Sequence, residues 1–177
     1  MRWSNRYIVR LAMLVGITLG GELIGLPQPF TGPFVNAMLL LSVLLLNIQA
    51  GCIIGCFSPL MAVIRGQLPP VFVPIVPFII IGNCLLVVLF GLIIRREKIF
   101  VKNKNVIRIV AIFIAAFVKF IWLSASVTIF LPLFFGVTFP EKAAYIFMLP
   151  QLLSALAGGL FALLFYSLLR RIGIILS

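Results

Sequence analysis

Long apolar runs separated by short polar or Pro/Gly-rich breaks dominate the chain, so helical spans emerge before any single residue is weighed. A membrane-crossing helix needs about 20 apolar residues at ~1.5 Å rise each, somewhat fewer where the bilayer thins or neighbours shield its ends. Four runs meet that length, Tyr7–Leu26, Ile75–Ile94, Ile109–Phe130 and Ala143–Leu169, each bounded by Pro, Gly or basic residues. The stretch Pro33–Ile64 fits either one long span or two short ones broken at Asn47–Gly51.

Basic residues decide between the two. With spans at 33–47 and 51–64, Arg2, Arg6, Arg10, the loop Arg95–Arg108 and the pair Arg170–Arg171 share one side, leaving Arg65 and Lys142 on the other. A single fused span would place the Arg95–Arg108 loop outside, against the tendency of Lys and Arg to stay cytoplasmic. The pattern therefore predicts one all-α domain over residues 1–177, an integral membrane bundle of six transmembrane helices with cytoplasmic N and C termini. Pro33 is expected in the first turn of the second helix, where a missing N–H costs nothing, and Asn47 with Gly51 in a tight inner turn. The short second and third helices are expected to be shielded by neighbours. Arg2, Arg6 and Arg10 before an apolar run resemble a signal peptide, but Tyr7–Leu26 is long for one, Glu22 interrupts its end and no small-x-small cleavage site follows, so this helix is expected to stay.

Composition narrows the class. Of 177 residues 64% are hydrophobic and 10% charged, and the mean hydropathy is +1.32, far above the roughly half-apolar makeup of soluble domains. A net charge of +11 would point to nucleic acid on a soluble protein, but here the charges flank apolar spans, so the expected surroundings are a lipid bilayer and no nucleic acid.

Polar residues inside the spans are the candidates for function, because ionisable groups are costly there. Lys119 lies in the middle of the fifth helix and shares a face with Trp122 and Ser126, so a cation, an indole and a hydroxyl can line one cavity wall. A structural ion pair is the plainer alternative. Glu22, near the outer end of the first helix with Thr18 on its face, either touches a ligand or pairs with Lys119 or Arg65. Asn36, Asn83 and Gln151 fall in the outer parts of the second, fourth and sixth helices, Gln151 aligned with Ser154 and Gly158. An unpaired amide in hydrocarbon is expensive, so each is expected to face inward, as an interhelical hydrogen bond or as a ligand contact. Arg65, in a neutral Pro/Gly-rich loop, either meets a carboxylate or phosphate or anchors at the interface. The loops Gly25–Pro33 and Arg65–Pro74 look like ordered caps. Phe72, Phe134, Phe135 and Phe139 fall near the outer mouth and are candidates to touch a flat ligand.

On the first helix Ala12, Gly16 and Gly20 form a small-residue seam about 140° from the Glu22 face at ~100° per residue. Packing within the bundle is its simplest use. Cys52, Cys56 and Cys84 are expected to pack between helices; with no His in the chain and no acid nearby, a metal site is not expected. The lack of His and of paired carboxylates also argues against catalysis, and no Gly is followed by Lys, so no phosphate-binding loop is present and the chain is expected to be neither an enzyme nor its own ATPase, with no cofactor.

The runs GPFVNAMLLLSVLLL (Gly32–Leu46), GCIIGCFSPLMAVIRGQLPP (Gly51–Pro70), VPFIIIGNCLLVVLFGLI (Val76–Ile93) and PQLLSALAGGL (Pro150–Leu160) resemble the substrate-binding S components of energy-coupling factor (ECF) transporters. The resemblance implies a multi-pass protein of a prokaryotic cytoplasmic membrane that captures a vitamin-like small molecule from outside. A membrane coupling (T) subunit and two cytoplasmic ATPases would then drive uptake. It implies a substrate site between the outer halves of the later helices, beneath the loop Pro27–Pro33. The family's Ala-x-x-x-Ala contact with the coupling subunit falls on Ala12 and Gly16, with Gly in place of the second Ala. Metal-transporting members use an N-terminal His-containing site that this chain does not match. Lys119 and Arg65 against Glu22 give the predicted pocket a slight positive balance, which favours a small anionic or carboxylate-bearing, partly aromatic solute. A stand-alone secondary carrier of a small organic solute is the main alternative.

Overall fold

The computed structural model describes residues 4–25, 27–66, 68, 70–96, 104–136, 138, 145 and 147–173. Apart from short turns they are helical: α1 (Asn5–Ile24), α2 (Gln28–Leu45), α3 (Ile48–Ile64), a 3-10 segment Pro70–Ile75 leading into α4 (Val76–Arg95), α5 (Lys104–Phe135) and α6 (Leu149–Arg171). No strand occurs among the described residues. Four helical stretches, α1, α5, α6 and the run Phe72–Arg95 that contains α4, are long and apolar enough to cross a membrane, and α2 and α3 are shorter apolar helices.

The surface explains why this fold belongs in lipid. Ile17, Phe30, Phe57, Ile64, Phe113, Phe117, Phe161 and Leu164 all stand exposed around the bundle. Leaving one such side chain in water forgoes about 1.5–3 kcal/mol, and a belt this broad exceeds the ~300–600 Å² of the largest apolar patch on a typical soluble monomer. This is the outside of a membrane-embedded protein.

At the centre lies α2. Val35 through Val43 are buried without interruption, so this part of the helix has no outward face, and α2 packs against α1, α3, α4 and α6. Its closest neighbour is α6, admitted by Gly158: a Cβ there would come within 2.6 Å of the Pro33 carbonyl oxygen and 2.8 Å of the Ala37 nitrogen. Successive helices alternate in direction. Tyr7 Oη at the start of α1 donates to Asn47 Oδ1 between α2 and α3 (3.2 Å), and Arg108 at the start of α5 stacks over Tyr166 near the end of α6, 5.2 Å from the ring centroid. The other end of α1 meets the end of α3, through Glu22, Ser58 and Arg65.

Several element boundaries differ from the expected ones, each for a local reason. α2 begins at Gln28 rather than at Pro33, because Pro29 occupies the first turn, so Pro33 sits inside the helix and most of the expected loop Gly25–Pro33 is helical. The chain reverses before it at Gly25, whose φ of 84° is a left-handed C-cap that glycine adopts without strain. Asn47 is the N-cap of α3, its Oδ1 accepting from Ala50 N at 2.9 Å, while Gly51 lies within α3 and not in the turn, where it lets Val43 and Val87 approach. The expected cap at Arg65–Pro74 is held in part by the 3-10 segment. α5 runs beyond its expected limits at both ends. Near its far end Ser126–Phe130 forms a π segment; Pro132 cannot donate to the Thr128 carbonyl and its ring would crowd it, and the wider turn relieves both problems.

Candidate functional site

One polar chain crosses the middle of the bundle. Lys119, 3% exposed on α5, donates from Nζ to Asn36 Oδ1 on α2 (2.8 Å) and to Asn83 Oδ1 on α4 (2.8 Å). Both amides are held in turn from the other side. Asn36 Nδ2 donates to the Gly32 carbonyl (2.9 Å) and to Ser154 Oγ of α6 (3.3 Å), and Ser154 Oγ donates to the Gln151 carbonyl (3.0 Å). Asn83 Nδ2 donates to the Gly55 carbonyl (3.2 Å).

That last bond follows from a simple rule. Pro59 lies inside α3 and has no N–H, so the Gly55 carbonyl one turn earlier loses its helical donor. In an apolar surrounding an orphan carbonyl is costly. Asn83 supplies the missing donor, and the absence of a Cβ at Gly55 lets α4 come close enough, since a Cβ there would lie 3.1 Å from Asn83 Cβ. With its amide nitrogen fixed on Gly55, Asn83 turns its oxygen towards Lys119.

A second polar group closes the same region from α1 and α3. Glu22, 2% exposed, accepts a hydrogen bond from Ser58 Oγ at 2.5 Å, and Arg65 Nη1 donates to the Glu22 main-chain carbonyl. Neither of the ion pairs open to Glu22 is formed: Lys119 Nζ is held by the two asparagines, and Arg65 grips the backbone rather than the carboxylate. Glu22 Oε2 is buried without a hydrogen-bond partner among the described residues. Thr18, on the same face of α1, is fully buried and donates to the Leu14 carbonyl (2.7 Å).

These groups surround a cavity of about 370 Å³ at the end of the bundle where α1 turns into α2 and α3 ends. Glu22, Asn36, Arg65, Asn83, Lys119 and Gln151 all line it, with Val35, Pro59, Ile79 and Phe147 among its apolar walls. Its formal charges are one acid, Glu22, and two bases, Arg65 and Lys119. Such a mixed polar and apolar lining is the kind that holds a small molecule, and its volume lies near the lower end of the ~300–1,000 Å³ usual for such sites.

Like Ser126 on the same expected face, Trp122 is not in the lining. Its Nε1 donates to the Phe78 carbonyl (2.9 Å), and its ring packs against Phe78 and Phe130 at centroid separations of 6.2 and 5.6 Å. The helical spacing from Lys119 is right, but the indole follows the α4 backbone away from the cavity. Trp122→Phe is therefore expected to lower stability by about 1 kcal/mol, the net worth of one hydrogen bond, and to leave ligand affinity within about twofold; a melting curve beside a binding isotherm checks both.

Sequence reasoning missed Ser58 and Phe147. Ser58 is visible as a hydroxyl just before Pro59 in an apolar helix, yet its partner is 36 positions away on α1. Phe147, 2% exposed, packs edge-on against Phe72 with ring centroids 5.4 Å apart, which brings Phe72 to the back of a cavity wall. Phe134 and Phe135 point outward, 70% and 60% exposed, and Phe139 lies outside the described residues. Cys52, Cys56 and Cys84 are half-buried and free; no cluster of three or more His, Cys, Asp or Glu side chains suited to a metal occurs among the described residues.

The seam on α1 also finds its place. Ala12, Gly16 and Gly20 are exposed, and a Cβ on Gly16 or Gly20 would meet nothing within 4 Å. Packing inside the bundle, the simplest use for the seam, is thus excluded; the inward face of α1 is made by Leu11, Leu14, Thr18 and Glu22.

Comparison of the chain with family models, with curated proteins and with solved structures finds no match.

Proposed function

We propose that the protein is the substrate-capture (S) subunit of an ATP-driven energy-coupling factor importer for a small vitamin-like solute, crossing the membrane six times with both termini in the cytoplasm. The observation that carries this reading is the cavity lined by Glu22, Arg65, Lys119 and three amides at the end of the bundle away from the basic termini. Arg6, Arg10, Arg95, Arg96, Lys104, Arg108, Arg170 and Arg171 fall at helix ends opposite to it, and the side rich in Lys and Arg is the cytoplasmic one. The cavity then faces outward, where a capture subunit meets its solute.

The shorter helices α2 and α3 are still compatible with this topology. At ~1.5 Å per residue the 18 residues of α2 reach about 27 Å, close to the ~30 Å hydrocarbon core. The positive balance of the lining favours a solute with a carboxylate or another anionic group. The exposed seam of Ala12, Gly16 and Gly20 offers α1 to a neighbouring helix at close range, the usual role of small residues in membranes, and the proposed neighbour is the coupling subunit.

Reconstitution tests the reading. In vesicles the chain alone should bind solute without moving it, and uptake should require the coupling subunit, both ATPases and ATP. Gradient-driven uptake by the chain alone would instead identify a secondary carrier. Gly16→Leu is expected to abolish co-purification with the coupling subunit and to leave solute binding unchanged, since its side chain enters open space; an intact complex would remove the seam from the interface.

A further inference from the structure

The cavity holds one polar atom that the fold does not satisfy. Ser58 occupies Glu22 Oε1, Arg65 is engaged with the Glu22 backbone, and Oε2 is left buried without a partner among the described residues. A carboxylate oxygen is a strong acceptor, and burying it unmet is among the costlier things a membrane protein can do. Every other buried side-chain polar atom lining the cavity has a partner; the remaining orphan, Ser124 Oγ, is not in the lining.

The complementary surface is basic. Lys119 spends two of its three N–H groups on Asn36 and Asn83, and the Arg65 fork spends Nη1 on the Glu22 carbonyl, so each has donor capacity beyond its protein partners. A purely anionic solute would satisfy these two and leave Glu22 Oε2 unmet beside it. A purely cationic one would meet two like charges in a site where low dielectric strengthens repulsion. Only a solute with both kinds of group answers the whole lining.

We infer, resting on the capture reading above, that the cavity takes an amphoteric solute, one that donates an N–H hydrogen bond to Glu22 Oε2 and presents a carboxylate or similar acceptor to Arg65 and Lys119. The volume of about 370 Å³ equals about a dozen waters at ~30 Å³ each, which admits an amino acid or a substituted single ring and not a dinucleotide. The donor is a protonated amine or the N–H of a ring or amidine. Ser58 acts as a positioning residue, holding Oε1 so that Oε2 is turned to the solute.

The test uses the full chain in lipid nanodiscs, challenged with a deproteinised small-molecule extract of bacterial cells below about 1 kDa, with retained compounds identified by mass spectrometry. Native protein is expected to retain a compound that has both an exchangeable N–H and an acidic group. Glu22→Gln, which keeps the shape of the side chain but removes its negative charge and replaces one acceptor oxygen with an NH2 donor, is expected to reduce that retention at least tenfold, and Ser58→Ala by a smaller factor. A retained compound without an N–H overturns the inference and leaves the capture reading standing. So does equal retention by Glu22→Gln with an unchanged melting transition. Should Glu22→Gln fail to fold, the chemistry of the compound held by the native protein still decides. Native protein that retains nothing overturns the capture reading itself.

Discussion

Lys119→Met is expected to lower affinity for the solute proposed to bind the cavity by about thirtyfold or more, because removing one member of a buried, hydrogen-bonded charged set typically costs ~2–5 kcal/mol of binding. Methionine keeps the length and flexibility of lysine and fills the same space, so the helix packing around residue 119 should persist. What it cannot do is donate. Asn36 Oδ1 and Asn83 Oδ1, each 2.8 Å from Nζ in the native protein, would be left facing an apolar group. Unsatisfied buried acceptors cost about 1–3 kcal/mol each, partly offset by relief of the burden of keeping an ammonium inside a membrane. The net expectation is a fall in stability of ~2 kcal/mol with binding lost. Calorimetric binding of the compound retained from the extract, measured beside thermal melting in the same nanodiscs, separates the two effects. Native affinity in a folded Lys119→Met protein would remove Lys119 from the site.

The second large effect is structural. Gly158→Leu is expected to prevent accumulation of folded protein, and Gly158→Ala to destabilise it by ~1–3 kcal/mol, the usual range for overpacking a tight core. A Cβ at this position would come within 2.6 Å of Asn36 Cβ and of the Pro33 carbonyl oxygen and within 2.8 Å of the Ala37 nitrogen. Two of those three atoms are backbone, so no side chain can rotate away; α2 and α6 must separate. Separation would move Asn36, and with it half of the support for Lys119, so solute affinity should fall as well. Gly16→Ala is the built-in contrast. Nothing lies within 4 Å of its Cβ position, and alanine is favoured over glycine in helices by about 0.8–1.0 kcal/mol, so that variant should be as stable as the native protein or more so. Equal melting temperatures for the two alanine variants would refute the account of how α2 meets α6.

Membrane residence and the outline of the bundle were legible in the chain because length, hydropathy and charge are summed properties that do not depend on partners. The break expected at Asn47–Gly51 is an example: Asn47 stands out in an apolar stretch, and the structure uses it as the cap of α3 while Gly51 joins the helix. The boundaries were less legible, because Pro29 and Pro33 both fit a first helical turn and the chain uses the earlier of the two. Trp122 shows the same limit in the site. Its spacing from Lys119 put both on one face of α5, but the indole hydrogen-bonds the Phe78 carbonyl on α4, a choice no pattern along a single helix records.

The sequence by itself determined that the chain belongs in a membrane, that it forms several apolar helices, and that a small set of polar residues must turn inward, since water and lipid leave those groups no other inexpensive place. Tertiary structure alone decided which of them meet. Lys119 could have paired with Glu22 on charge alone; it is held by Asn36 and Asn83 instead, because Pro59 frees the Gly55 carbonyl and that carbonyl orients Asn83. Glu22 is thereby left with Ser58 on one oxygen and an open acceptor on the other. Pairing across helices depends on distance and direction in space, which residue spacing along one chain does not carry.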